Sequence, residues 1–397
     1  MKPAASAPPL APLPPLAAFG AVWFCYFASI GIFNPYAPLW FKDLGFSTLA
    51  IGTIASLQSG TRVVAPYAWG WLADHGGRRV RLVQLAALGS LLAALSLLVV
   101  RGYEAVALAA VLLFVANAGI VPLSEAALAQ HLHRGSSFDS ARYGRIRVWG
   151  SVGFIIAVGA GGAGLQAAGI AWFPVLAVAT MALLLVAALR LPTQREVVTP
   201  ADERPAVWGV LRQPAVAWFF ASVFFTVLAH TSLYAFFSLY LSGLGHPSSV
   251  VGLLWAVAVA AEVVFFWFQG RWFVRMPPAR WLQWAAALSV LRFVTIAAVG
   301  SNLMLLLLAQ LLHAVTFAGH HAACIAQIGR HFPGALRGRG QALYSMLGYG
   351  VSGVIGGVGG GLLGTALGFH AVFWAAAVAA AIAWACALRA SRLDVAA

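Results

Sequence analysis

Charge is the scarcest property of this chain. Asp, Glu, Lys and Arg make up 9% of its 397 residues, against about 25% in a soluble domain, which excludes a solvated globular domain of ordinary composition. Cysteine is scarce too. Cys25, Cys324 and Cys386 are the whole supply, and each falls inside an apolar run, so no disulfide framework follows. The first 16 residues hold many prolines but lack the continuous apolar core of a signal peptide. A disordered tail is expected there. What the chain has in quantity is hydrophobic residues, 62% of the total, with a mean hydropathy of +0.88. Apolar runs long enough to span a bilayer recur along the whole length, because about 20 residues suffice for one crossing. The expected fold class is an all-α membrane protein.

Twelve spanning helices are predicted, over 17–41, 49–73, 80–100, 104–131, 145–168, 170–190, 214–242, 249–270, 281–299, 303–329, 341–366 and 370–389. Arginine falls on alternate loops. Arg78, Arg79 and Arg81 follow the second helix, Arg134 and Arg142 the fourth, and Arg195, Arg204 and Arg212 the sixth. Arg271, Arg275 and Arg280 follow the eighth, Arg330, Arg337 and Arg339 the tenth, and Arg389 and Arg392 the twelfth. The opposite loops carry only Lys42 and Arg101. Basic residues concentrate on cytoplasmic loops, so both termini are expected in the cytoplasm. The net charge of +14 is then a topology signal, and no nucleic-acid partner is expected. The longest loop, 191–213, reads as a solvated linker. It separates a six-helix bundle at 17–190 from a second at 214–390, with a short tail at 391–397.

The two bundles echo each other. At an offset of 200, Leu44, Gly45 and Gly52 fall on Leu244, Gly245 and Gly252. At an offset of 197, Arg142, Gly153, Gly159, Gly162 and Gly164 fall on Arg339, Gly350, Gly356, Gly359 and Gly361. Two pseudo-symmetric six-helix bundles with a site between them at mid-membrane are one layout of secondary transporters. Small-residue rows such as Gly356, Gly360 and Gly364 allow close helix approach. Sliding and static packing both stay open for them.

Few polar residues lie inside the spanning runs, and each is costly there. The set is Arg62, Glu125, Arg147, Glu262, Arg292, His313, His320 and His321. Glu125 and Arg147 flank the polar turn between two antiparallel helices, so an acid and a base can meet inside the membrane. Arg62 and Glu262 are 200 residues apart and hold equivalent places, as do Asn34 and Tyr234; Glu125 and His321 are nearly equivalent. His230 and Tyr234 are four apart and share a helix face. Trp23, Tyr26, Trp149 and Trp255 are candidates to line an aromatic cavity. Three arginines against two glutamates leave one positive charge in excess, which a carboxylate arriving with a substrate can balance.

Gly70-Trp-Leu-Ala-Asp74-His-Gly-Gly77-Arg78-Arg79 resembles the signature loop between the second and third helices of the major facilitator superfamily, and implies a gating latch at those five numbered residues. The loop after the eighth helix, Gly270-Arg271-Trp-Phe-Val-Arg275, lacks the acid. Asn117-Ala-Gly119, Glu125 and Gly144-Arg145-Ile-Arg147-Val-Trp-Gly150 resemble the matching stretch of the lactose permease family, where the corresponding acid and base bind sugar. Ala229-His230, Tyr234, Gly252-Leu-Leu-Trp255, Ala261-Glu262-Val263, His313-Ala-Val-Thr316, His321 and Gln341-Ala-Leu-Tyr344-Ser345 are similar to the phenylpropionate permease group. The resemblance implies substrate contacts at Glu125, Arg147, Tyr234, His230 and Tyr344, and Asn34 and Arg62 are expected to join them from their equivalent places in the first half. It implies proton coupling among Glu262, His313, Arg292, His321 and Thr316. Thr316 stands where the lactose permease family has its proton-carrying glutamate, which leaves Glu262 as the only second-half carboxylate in a spanning run.

The expected function is proton-coupled import of a small organic solute by alternating access, with an aromatic carboxylate first and a nucleoside or sugar second. No cofactor and no metal are expected. An adjacent His320-His321 pair points in different directions along one helix and has no carboxylate beside it, which disfavours a metalloenzyme. Isolated charges disfavour a pore. A non-transporting membrane sensor stays open. The expected setting is a bacterial-type inner membrane, with a monomer, protons and lipid as the remaining partners.

Overall fold

The computed structural model describes residues 16–134, 137–192 and 207–395. Twelve long helices run through the described residues: α1 (Leu16–Asp43), α2 (Thr48–Gly76), α3 (Arg79–Ser96), α4 (Tyr103–Asn117, then Ile120–Leu132), α5 (Ser140–Ala168), α6 (Phe173–Leu189), α7 (Pro214–Gly243), α8 (Ser248–Phe273), α9 (Pro278–Val299), α10 (beginning Leu303–Leu311 and ending His320–His331), α11 (beginning Arg337–Leu343 and ending Ser352–Leu367) and α12 (Phe369–Val395). Eleven are long and apolar enough to cross a membrane. α2 is not among those, since it carries Gln58, Arg62, Asp74 and His75. The chain is a multi-pass membrane protein with the architecture expected from the sequence.

Most of the predicted tail, up to residue 15, and most of the linker, 193–206, lie outside the described residues. α12 continues through 391–395, the stretch expected as a tail, and Asp394 there pairs with Arg330 at the end of α10, 2.6 Å away.

Local chemistry sets the helix ends. The Ser47 hydroxyl accepts from the Ala50 amide and caps α2, and Gly77, at φ 57°, closes that helix in the left-handed conformation, which glycine adopts without a Cβ penalty. Asp139 caps α5 by accepting from the Arg142 amide at 2.9 Å. α5 therefore starts at Ser140, a full turn before the apolar run does, and Tyr143 joins the same helix as Arg147. α4 breaks at Ala118-Gly119 where one unbroken helix was predicted. Pro122 has no amide to donate back to Ala118, and the Trp69 ring packs on Gly119.

Helix pairing repeats between the halves. α1 packs on α5 and α6, and α3 on α6; in the second half α7 packs on α11 and α12, and α9 on α12. The halves meet along α2 with α11, α5 with α8, and α1 with α7. The row Gly356, Gly360 and Gly364 faces mostly inside its own half, with Gly356 on Thr231 and Gly360 on Phe236. A second row on α11, Gly353, Gly357 and Gly361, faces α2. Ser56 Oγ donates to the Val354 carbonyl across this contact at 2.7 Å. At the arginine-rich end a groove of about 510 Å³ lies between α1 and α5. Another of about 300 Å³ lies between α2 and α11, lined by Arg62, Tyr67, Gln341 and Ser345 among others.

At Gly357 the opposing atoms are the Ser56 hydroxyl, the Gly52 carbonyl and the Ser56 amide nitrogen, and the two backbone atoms cannot swing aside as a flexible side chain would. Overpacking of this kind costs about 1–3 kcal/mol. Gly357→Val is therefore expected to spread α2 from α11 while each half keeps its own packing. Spin labels on the 44–47 turn and near Gly368 should move apart, with the thermal midpoint little changed. An unaltered distance would show that the close approach is dispensable.

Candidate functional site

The first-half group is built on α1, α4 and α5. Tyr143 Oη donates to Glu125 Oε1 at 3.2 Å. Arg147, one turn further along α5, lays its guanidinium over two rings of α1, 4.4 Å from the Phe27 centroid and 5.2 Å from that of Trp23. Such stacking suits the planar guanidinium. Trp23 is fixed in turn, donating from Nε1 to Ser124 Oγ at 3.1 Å and meeting Tyr143 edge-on. Glu125 and Arg147 act on one another electrostatically, but no carboxylate lies within 4.0 Å of Arg147 among the described residues. Tyr143 and the aromatic pair stand where a direct ion pair was expected.

The second-half group centres on Arg292 of α9, which is 0% exposed. Its Nη1 donates to His313 Nδ1 at 2.9 Å and Thr316 Oγ1 at 3.2 Å, and its Nη2 to Gln310 Oε1 at 2.6 Å. A guanidinium has no acceptor, so His313 Nδ1 is the unprotonated nitrogen. The imidazole proton then sits on Nε2, which faces Glu262 Oε2 of α8 at 3.7 Å. Glu262 is the only carboxylate reaching this cluster among the described residues, and it does so through the imidazole.

His230, one turn before Tyr234 on α7, lies beside this second group. Its Nδ1 bonds to the Thr226 carbonyl at 2.8 Å, and its ring centroid is 6.4 Å from that of His313. Tyr234 stacks on Trp255 at 5.8 Å. Asn34 accepts from Gln58 at 3.2 Å and lines a small space of about 20 Å³ with Tyr234. Tyr344 bonds to His321 Nδ1 at 3.0 Å and to Tyr349 at 3.2 Å. His320 turns instead to Cys324, 3.5 Å from its Sγ, so His313, His320 and His321 address three different partners. Trp149 is turned away from all of these, 52% exposed, on the far side of α5 from Arg147. Its expected place in the aromatic lining is thus corrected by helix register.

Charge unites the groups. Arg147 acts on Glu262 and His321 across the boundary between halves, and Arg62, exposed on α2, acts on Tyr234 and Tyr349. These side chains are therefore within electrostatic range of one another where the two bundles meet. The gating loop is separate: Asp74 meets Arg79 at 3.4 Å with the acid 69% exposed, a surface pair of the kind worth about 0–1 kcal/mol.

Two stretches have π-helical pairing, Ala314–Gly319 directly after His313 and Tyr344–Val351. Such segments concentrate at functional sites. They were not predicted, and neither were the parts of Tyr143, Phe27, Gln310 and Tyr349. Only Tyr143 carried a signal, by lying inside the Arg142–Gly150 motif.

A family model described as MFS_1 like matches residues 16–375. Over 352 residues the chain is 29% identical to a probable 3-phenylpropionic acid transporter of Escherichia coli (strain K12), covering 83% of this chain and 86% of that protein. Over 288 residues it is 31% identical to the maltose permease of Geobacillus stearothermophilus, covering 70% of each. Among solved structures, the D323A mutant of the nucleoside transporter NupG superposes with a TM-score of 0.82 at 17% identity, covering 94% of this chain and 99% of that one. A POT family transporter in complex with 5-aminolevulinic acid gives 0.74 at 13% identity, covering 95% and 96%.

Proposed function

The chain belongs to the MFS_1-like family and is a secondary transporter of small molecules, and on that premise we propose that it is a proton symporter importing an aromatic carboxylate such as phenylpropionate. One observation carries the reading. Arg147 is a membrane-embedded cation whose neighbours are the faces of Trp23 and Phe27, with no carboxylate within 4.0 Å among the described residues. A ligand made of a ring and a carboxylate complements that arrangement at both ends, the carboxylate on the guanidinium fork and the ring among Trp23, Phe27, Tyr234 and Trp255. The relative named for 3-phenylpropionic acid supports the same class. The basic loops support an inner-membrane setting with both termini in the cytoplasm. The pairing of α2 with α11 away from those loops, and the groove at their arginine-rich ends, then correspond to a state facing the cytoplasm.

Proton coupling is assigned to Glu262, with His313 and Arg292. While Glu262 is ionised, its charge balances Arg292 through the imidazole. Once Glu262 is protonated, Arg292 has no counter-charge in its own group, and the field between the bundles favours an arriving anion. Proton and anionic substrate then bind cooperatively, which is what symport requires.

The test is uptake of phenylpropionate against its uncharged amide, at equal concentration in energised vesicles. The acid is expected to be strongly preferred, and preference for the amide refutes the anionic site. A second reading, a neutral sugar or nucleoside, is favoured by the 31% identity to a maltose permease and by the Glu125–Tyr143 pair, which can accept from and donate to hydroxyls. Competition by maltose or a nucleoside in the same vesicles, with no competition by aromatic acids, would select it.

A further inference from the structure

The Arg142–Gly150 motif uses only one side of its helix for the space between the bundles. Tyr143, Arg147 and Gly150 face α1 and α4. Arg142, Arg145, Ile146 and Trp149 recur at three- and four-residue spacing on the other side. That side, with α1, encloses the groove of about 510 Å³ at the arginine-rich end of the bundle. Its walls are apolar, with Phe24 and Ala21 from α1 facing Ile146, and Trp149 packs its ring over Gly20. Arg142 is partly neutralised by Asp139, 3.8 Å away. Arg145 is exposed and has no ion-pair partner among the described residues.

We propose that this groove binds an anionic phospholipid, with Arg145 and Arg142 on its phosphate and the apolar wall against its glycerol and upper acyl chain. Three features select that occupant over a soluble anion. The groove opens on the side of α5 turned away from Arg147, its lining is nearly all apolar, and its two cations sit at the end of the spanning segment where headgroups lie. Basic pockets between membrane helices beside the cytoplasmic leaflet recognise anionic headgroups in this way. Trp149 has the amphipathic ring that favours the same level. A lipid seated there would brace α1 against α5 from outside, behind the Arg147 stack.

The experiment is native mass spectrometry of the full-length protein in detergent, titrated with phosphatidylglycerol, with phosphatidylcholine of the same chains, and with inorganic phosphate as competitor. Phosphatidylglycerol is expected to be retained in preference to phosphatidylcholine, and phosphate should not displace it. Each of Arg145→Gln and Arg142→Gln should weaken phosphatidylglycerol by about fivefold, with the smaller loss at Arg142 because Asp139 already engages it. Arg280→Gln, in the first turn of α9 in the second half, should leave it unchanged. Binding of phosphatidylglycerol by Arg145→Gln as tight as by Arg280→Gln overturns the proposal. So does equal retention of phosphatidylcholine, or displacement by phosphate. None of these readouts depends on which solute is carried.

Discussion

Glu262→Gln is expected to abolish accumulation while leaving exchange of substrate for substrate intact. Glu262 is the carboxylate that faces His313 Nε2 at 3.7 Å, and glutamine keeps its shape without a titrating proton. One proton carried with a monoanion makes a neutral pair. Wild-type accumulation should then follow the pH difference, about tenfold per unit, since one pH unit is worth 1.36 kcal/mol, and should ignore an imposed voltage. The variant should equilibrate at a ratio of about 1 under the same pH step. Uptake of labelled substrate in vesicles, under pH and voltage steps applied separately, measures both. Undiminished accumulation by Glu262→Gln would place the proton elsewhere, and voltage-driven accumulation by the wild type would contradict the neutral pair.

The second large effect is at Arg147. Removing one partner of a desolvated, hydrogen-bonded charge pair costs about 2–5 kcal/mol, so Arg147→Gln should weaken phenylpropionate binding by a factor on the order of 100. Arg147→Lys should recover only part, because an ammonium keeps the charge but not the planar face over Phe27 and Trp23. Glu125→Ala is also expected to lose binding, by releasing Tyr143 and with it the edge that holds Trp23. Calorimetric titration of the purified variants separates these cases. Equal affinity in Arg147→Lys and wild type would argue for a bare electrostatic role.

The fold was legible because a bilayer demands long apolar runs, and the alternation of arginines along the loops was visible without any contact information. Charged side chains were legible for the same reason: Arg147, Glu262 and Arg292 stand out where little else is polar. Their neighbours were not. Phe27, Gln310 and Tyr349 are of kinds that appear throughout membrane helices, and only helix register shows which of them meets a guanidinium or a phenol. Register also set His230 beside His313, and Trp149 on the outside. The early start of α5 depended on Asp139 as a cap, a local signal outweighed by the apolar run that begins later. The break in α4 was marked by Pro122 but hidden inside an otherwise continuous run.

The π-helical stretches of α10 and α11 bear on how positions in the two halves correspond. A π-paired ring closes over one residue more than an α-paired ring, and one residue of helix is about 100° of rotation. Past Ala314 on α10, and again past Tyr344 on α11, the second bundle is therefore turned relative to an uninterrupted copy of the first. Glu125 and His321 are counterparts by neighbourhood more than by azimuth. The residues so re-aimed on α10 are His320 and His321, whereas Gln310 and His313 of the Arg292 cluster precede the turn and keep the register in which the helix began.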